Sequence, residues 1–378
     1  MQSHYLFSHL LLHHVSGLGP AKQKRARKFF DCADDLIHQP ISFWRHKVQL
    51  SPKGCSQIQQ WLTDRQDSEL AKKVSSDIEW LNASEQHHIL SQDCPAFPEL
   101  LKNIYDPPPV LYLMGQISCL TSPKLAIVGA RKATRYGLDS AYYLSQKVSQ
   151  QGWVVVSGLA QGIDGVAHEA CIQLGLPTMA VLGCGVDIVY PKNHYKLSQD
   201  IKQTGLIVSE FPLGTLPRPG YFPQRNRIIS GLCQGTLVVE AEERSGSLIT
   251  AQMALDEGRE VFATPGSIFN PLARGCHRLI QQGAKLIMDD EDLLVDLSRL
   301  HGGMTQPLQD STALPMNIEN FTSEEASVVY DQLSSDPVSC DELMVLASLD
   351  HSKILAALLE LELLQLVATV PGGYCRVR

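Results

Sequence analysis

The runs Leu125-Ala126-Ile127-Val128-Gly129-Ala130-Arg131 and Trp153-Val154-Val155-Val156-Ser157-Gly158-Leu159-Ala160-Gln161-Gly162-Ile163-Asp164 decide the fold. Each is a short unbroken apolar run that stops at small residues, and a helix-length segment separates the two. Continuous apolar runs of this kind predict strands covered on both faces. The texture repeats at Thr178–Leu182, Leu206–Val208, Thr236–Val239 and Val261–Ala263, with Lys285–Met288 after them. Strands alternating with helices predict a Rossmann-like, doubly wound, mainly parallel α/β sheet.

Ligands of open α/β sheets bind outside the carboxyl ends of the strands. Here those ends are small-residue turns: Gly129-Ala130-Arg131, Ser157 to Asp164, Gly183-Cys184-Gly185, Ser209 to Gly214, Ser245-Gly246-Ser247 and Thr264 to Ser267. Such turns open helix N-termini, whose unpaired N–H groups and positive dipole end favour phosphate. The first of them is not G-x-G-x-x-G, since it reads Gly129-Ala130-Arg131-Lys132-Ala133-Thr134, and no Walker A sequence occurs. A dinucleotide fingerprint and a P-loop ATPase are therefore excluded.

Basic residues join these turns. Arg131 and Lys132 follow the first strand, and Arg225-Asn226-Arg227 precede the strand at 236–239. Arg forks suit phosphate or base edges, and Asn226 suits a base edge. Phe211, Tyr221 and Phe222 supply stacking faces for a single strand. Two carboxylates compete for attention, Asp164 and Glu240. Beside a phosphate cradle a carboxylate serves either as a general base or as an acceptor that holds a turn; the turn-holding role is the expectation for Asp164. His168 has no evident Ser or Cys partner and reads as a helix residue.

The formal net charge is −8, from 32 basic and 40 acidic residues. Phosphate binding then requires positive charge to be segregated. One basic run lies at Lys22, Lys24, Arg25, Arg27 and Lys28, after Val15-Ser16-Gly17-Leu18-Gly19-Pro20. That pattern reads either as a helix-hairpin-helix or as a tight helix–helix turn with a solvated basic face. Over 321–370 the only cation is Lys353, against nine acids that include Asp331, Asp336, Asp341 and Glu342. Three helices and a hairpin of Val367–Val370, Pro371-Gly372-Gly373 and Tyr374–Val377 suggest a winged helix there. A recognition helix needs positive charge, so this unit is expected to contact protein or gate the pocket.

The domain plan is a helical unit over 1–90, the Rossmann-like unit with its lead-in over 91–300, a linker over 301–320 and the winged helix over 321–378. More helices are expected over 31–90, and irregular chain over the proline-rich 95–123. No apolar run reaches the length of a membrane span, and no charged region precedes Leu10-Leu11-Leu12 as in a signal peptide. The ten cysteines include no C-x-x-C pair, so free thiols in a reducing cytoplasm are expected.

The central segment resembles the DprA family, also called Smf. The matching stretches are Ile127 to Arg131, Tyr136-Gly137, Ser157 to Asp164, Gly183 to Asp187 and Tyr190-Pro191-Lys192-Asn193. They continue through Ser209 to Pro212, Phe222 to Gly231, Val238 to Ala241, Ser245 to Ala251 and Phe262 to Gly266. The flanks resemble the longer members, with a sterile-alpha-motif-like N-terminus and a winged-helix C-terminus. The resemblance implies single-stranded DNA binding without known catalysis or cofactor, a homodimer formed through the Rossmann-like domain, interaction with RecA and a part in natural transformation. It carries the DNA pocket to Gly129, Arg131, Ser157, Gly158, Gly162, Arg225, Asn226, Arg227, Ser245, Gly246 and Ser247. Lys132 joins them from the local reading, and Lys192 from its nearness to the motif. Two other classes compete. A nucleotide-processing enzyme of the lysine-decarboxylase-like type would carry a PGGxGT loop where this chain has Ser245-Gly246-Ser247-Leu248-Ile249-Thr250. A double-strand regulator would read DNA through the winged helix, against its acidity.

Overall fold

In the computed structural model the described residues are 2–30, 32–300, 323–333, 337–364, 366–370 and 372–376. The expected linker 301–320 lies outside them, as do Asp336, Pro371 and Val377.

The strands are β1 (His87–Ser91), β2 (Val110–Gly115), β3 (Lys124–Gly129), β4 (Val154–Ser157), β5 (Thr178–Val181), β6 (Leu206–Ser209), β7 (Gly235–Val239), β8 (Glu260–Ala263) and β9 (Lys285–Leu286). They form one sheet in the order β1-β2-β6-β5-β4-β3-β7-β8-β9. The pairings from β6 to β9 are all parallel. β3 to β6, β7 and most of β8 are buried, as strands sandwiched between helix layers must be. One apolar layer packs Ala141, Leu144, Val148, Ile163 and Ala167 on Leu125, Ile127, Val155, Leu237 and Val239. The opposite layer packs Leu101, Ile104, Ile228, Leu232 and Ala251 on Ala126, Val128, Val156 and Val238.

Two strands depart from the expectation of helices over 31–90 and irregular chain over 95–123. β2 runs antiparallel to β6, and β1 antiparallel to β2. The apolar run Val110-Leu111-Tyr112-Leu113-Met114 is buried throughout; the prolines before it end an irregular excursion and do not preclude a strand. The boundary drawn at 90/91 cuts through β1, which belongs to the sheet.

Six helices between Gln2 and Asn82 precede the sheet. Leu10, Leu11 and Leu12 are fully buried with Trp44, Ile58 and Val74, and this core runs on into Ile89 and Tyr112 of the sheet. At the C-terminus, helices Glu324–Gln332, Cys340–Ala347 and His351–Leu363 and the hairpin strands β10 (Val367–Val370) and β11 (Gly373–Arg376) enclose a separate core around Leu343, Ile354, Leu358 and Leu361. This is the expected winged helix.

Candidate nucleic-acid interface

Strand order reverses between β3 and β7. β3 pairs with β4 on one side and with β7 on the other; the chain leaves β3 towards β4 and leaves β7 towards β8 on the opposite side, which opens a crevice between their carboxyl ends. A cavity of about 930 Å³ occupies that place. Its wall includes Gly129, Arg131, Lys132, Arg225, Asn226, Ser245, Gly246 and Ser247, all expected from the sequence. Ser157, Gly158, Gly162, Lys192 and Arg227 do not line it.

Local chemistry explains the wall. A Cβ on Gly129 would lie 1.9 Å from the Val239 carbonyl oxygen, so only glycine lets β3 end this close to β7. The chain then turns, and Thr134 caps helix Arg135–Gln150 by accepting from Gly137 N–H at 3.2 Å. Arg131 and Lys132 are left exposed on the turn. Across the crevice, the Ser245 side chain accepts from Ser247 N–H and caps helix Gly246–Asp256. The N-terminus of that helix faces the cavity through Gly246, Ser247 and Thr250. Asn226 donates to the Gly246 carbonyl at 3.3 Å and ties helix Tyr221–Leu232 to this turn.

The group of three arginines divides. Arg131 is exposed at the rim, with its guanidinium 5.7 Å from the centre of the Phe222 ring. Arg225 is 4% exposed and donates to the Val181 carbonyl. Its head packs on Gly158, where a Cβ would stand 2.1 Å from Nη1. Burial pulls its pKa down to about 10 against the opposing pull of Asp164. Arg227 donates from Nη1 and Nη2 to Glu210 at 2.8 and 2.6 Å, in a largely buried pair. The expectation that Arg225 and Arg227 present open forks at the sheet edge is thus corrected: one is in the floor and the other is spent on a carboxylate.

The remaining motif residues build this floor from below. Ser157 Oγ donates to the Ile127 carbonyl at 2.6 Å and fixes β4 beside β3. Gly162 holds φ +77, and a Cβ there would meet the Ala130 and Arg131 carbonyls at 2.4 and 2.6 Å, so the loop after β4 supports the Arg131 turn. Lys192 is exposed on a short 3₁₀ turn two residues after Tyr190, which lines the cavity, but does not itself line it.

Both carboxylates hold turns, and Asp164 also lines the cavity. Asp164 accepts from Gly158 N–H at 3.0 Å, as the turn-holding reading expected. Burial raises its pKa, and Arg225 works against that rise. Glu240 accepts from Thr134 N–H at 2.8 Å, from Thr134 Oγ1 and from Asn270 Nδ2 at 3.1 Å. His168 is fully buried, with Nδ1 2.7 Å from Thr178 Oγ1. Thr178 gives its one hydroxyl proton to Val155 O, so Nδ1 carries the imidazole proton.

Burial lowers the His168 pKa to about 3, with His194 and Arg225 acting the same way. The unfolded chain therefore binds the proton near pH 6.5 and the native chain does not. Stability is full above about pH 6.5 and falls as the pH drops toward 3, by up to about 1.4 kcal/mol per unit from this group. His168→Asn removes the titration and keeps a donor for Thr178, so denaturation midpoints between pH 7 and 4 should fall less steeply. An unchanged slope would assign the acid sensitivity to other groups.

Several wall residues had no signal in the sequence. Asn270, Pro271 and Leu272 arrive from the loop after β8, and Glu242 from the turn after β7. Tyr190 is 44% exposed and its ring lies 5.4 Å from that of Phe222. Tyr190, Phe222 and Arg131 make a continuous stacking surface along the rim. Phe211, expected as a stacking face, is instead 7% exposed and packs on Tyr221 at 4.4 Å.

Comparison with known proteins agrees with this architecture. The family model for DNA recombination-mediator protein A matches residues 88–298, and that for the DprA winged helix domain matches 313–373. Protein Smf of Escherichia coli is 40% identical over 316 residues, covering 81% of this chain and 82% of that protein. DNA processing protein DprA of Streptococcus pneumoniae is 47% identical over 204 residues, covering 54% and 71%. The X-ray structure of the Streptococcus pneumoniae protein superposes with a TM-score of 0.66 at 35% identity, covering 75% of this chain and 95% of that one. A structure of DNA processing protein A from Helicobacter pylori, described for its single-stranded DNA binding mode, gives 0.52 at 30% identity, covering 57% and 96%. With one family model over the sheet and its lead-in, another over the winged helix and a relative matched across most of both chains, this protein belongs to the DNA recombination-mediator protein A (DprA/Smf) family.

Proposed function

We propose that this protein is a recombination mediator that binds single-stranded DNA in the crevice between β3 and β7, protects it and loads RecA onto it during DNA uptake. The observation that carries the reading is the composition of that crevice. Exposed Arg131 and Lys132 stand beside a helix N-terminus and a Tyr190–Phe222 stacking surface. Cations and amides take phosphate, and rings take unpaired bases without regard to sequence. The Helicobacter pylori relative is described as a single-stranded DNA binder, which supports the same use here. The pocket residues of this reading are Gly129, Arg131, Lys132, Asn226, Ser245, Gly246 and Ser247, with Arg225 beneath them. Ser157, Gly158 and Gly162 support the pocket from behind.

The protein acts without catalysis in this reading, because Asp164 and Glu240 are committed to turn amides and hydroxyls. Its place is the cytoplasm, where RecA and incoming strands meet. The homodimer forms through the Rossmann-like domain, where Ile268, Phe269 and Met288 are 74%, 88% and 72% exposed. Fluorescence anisotropy with labelled single and double strands tests the binding reading. Tight single-strand and weak double-strand binding is expected, with no turnover of nucleoside monophosphates. Preference for the duplex, or such turnover, would overturn it. RecA loading is read separately, as faster filament assembly on strands already coated by this protein.

The winged helix contacts protein in this proposal. Val345, Leu359 and Leu363 are 79%, 59% and 77% exposed on it, and its Lys353 sits 3.5 Å from Glu325. A chain ending at residue 300 should keep the single-strand affinity of the full chain. Loss of binding with the tail would place DNA contacts on the acidic unit after all.

A further inference from the structure

A second cleft lies at the same end of the sheet as the crevice. Because β2 runs against β6 and β1 runs with it, Gln92 and Asp93 after β1, and Pro109 before β2, stand at the carboxyl end of the parallel strands. There they meet the N-terminal helical unit. The cleft holds about 280 Å³ and is lined by Gln23, Lys24, Arg27, Asp93, Lys102 and Ile104, with prolines 20, 107 and 109. Of its three cations, Arg27 is paired with Asp93 and Lys24 donates to the Tyr105 carbonyl, so Lys102 is the one that faces the cleft with no protein partner among the described residues.

The basic run of helix Pro20–Arg27 is thereby sorted by face. Lys22 and Arg25 bond Gln49 at 2.9 and 3.1 Å on the outer side, whereas Lys24 and Arg27 line the cleft. Asp93 does not neutralise the site alone. It takes Arg27 at 2.8 Å and lies 2.9 Å from His9 Nε2. Burial pushes the Asp93 carboxyl up, but hydrogen bonds from His9 and Arg27 outweigh it and hold the carboxyl well below its usual range. Lys102 is exposed beside them. Tyr105, at 81% exposure, is the most exposed tyrosine described, and Lys24 sits 4.7 Å over its ring. The glycines of the hairpin play no part here, since Gly17 faces Ser51 and the cleft is built from the helix that follows.

Cations interleaved with an exposed aromatic are what a single strand needs: phosphate contacts and a platform for a base. The crevice and the cleft are separated by the five strand spacings from β3 to β1, on the order of 24 Å at the usual interstrand distance. We infer that the cleft lined by Lys24 and Lys102, together with the exposed Tyr105 ring beside Lys24, is a second contact for the same single strand, so that DNA held between β3 and β7 continues along the strand ends onto the N-terminal helical unit. This rests on the proposed use of the crevice and adds a direction and a length to it.

The test is binding of oligothymidylates of about 4 and about 16 residues, which bracket the site sizes of single-strand binding folds. The full-length chain carries either Lys102→Glu with Tyr105→Ala, or Arg131→Ala with Lys132→Ala. Lys102 and Tyr105 are exposed, so their substitution should leave thermal stability unchanged. The cleft variant should bind the short oligomer as the wild type does and the long one about tenfold more weakly, the loss expected from one stacking platform and one phosphate contact. Wild-type affinity of that variant for the long oligomer overturns the inference. Failure of the crevice reading looks different: the Arg131/Lys132 variant then keeps both affinities, and a cleft variant that has lost the short oligomer shows a self-sufficient site and overturns the extension.

Discussion

Arg225→Met is expected to lower the free energy of unfolding by about 1–3 kcal/mol, the cost of leaving the buried Val181 carbonyl without its donor and the buried Asp164 carboxyl without a neighbouring positive charge. Arg225 is 4% exposed, donates to the Val181 carbonyl and packs its head against Gly158. Its removal leaves Asp164, 7% exposed, with the Gly158 amide but without the opposing charge that offsets its burial. Urea denaturation at pH 7 measures the loss. Adding Asp164→Asn removes the stranded charge and keeps an acceptor for Gly158, so the double variant should recover part of the stability. A single variant as stable as wild type would mean that Arg225 is held for the ligand and not for the fold. Any loss of DNA affinity by Arg225 variants must therefore be measured against the folded fraction, since the floor of the crevice goes with the side chain.

That result bears on how much of the site was legible in the sequence. Most of the parallel strands were visible because they are short apolar runs that end at small residues, and the pattern requires no long-range information. The crevice was visible for the same reason, since Gly129 ends β3, Arg131 follows it, and Ser245 opens the helix after β7. What could not be read was the direction of the long side chains. Arg225 is buried by a carbonyl 44 residues away and by the absence of a side chain at Gly158. Arg227 is committed to Glu210, which reaches it only because the turn after β6 lies beside helix Tyr221–Leu232. A sequence shows that arginines are near a site, while topology decides which of them are already paired. β1 and β2 were hidden by a different cause. Their edge pairing is antiparallel within a parallel sheet, and the prolines at 107–109 masked the apolar run that follows them.

With Arg225 and Arg227 committed to the fold, the crevice's phosphate affinity falls to Arg131 and Lys132. Both are exposed on the turn after β3, so Arg131→Ala with Lys132→Ala should change stability by no more than about 0.5 kcal/mol, as surface substitutions do. The effect on DNA should be large. Two charge-assisted contacts of about 1.5 kcal/mol each correspond to at least roughly 100-fold in affinity for a single strand. The salt dependence should change with it: losing two phosphate contacts reduces the slope of log K against log salt by about 1.4. Arg131→Lys separates charge from shape. It keeps the slope but loses the planar fork and the stacking on Phe222, so its affinity should fall between the two. An affinity loss without a change in slope would show that the turn acts by shaping the pocket, and unchanged affinity would remove the crevice as the DNA site. The overall charge of −8 makes this a demanding test. The chain as a whole repels a polyanion, so binding must come from locally placed cations, and these two stand at the point where the strand order reverses.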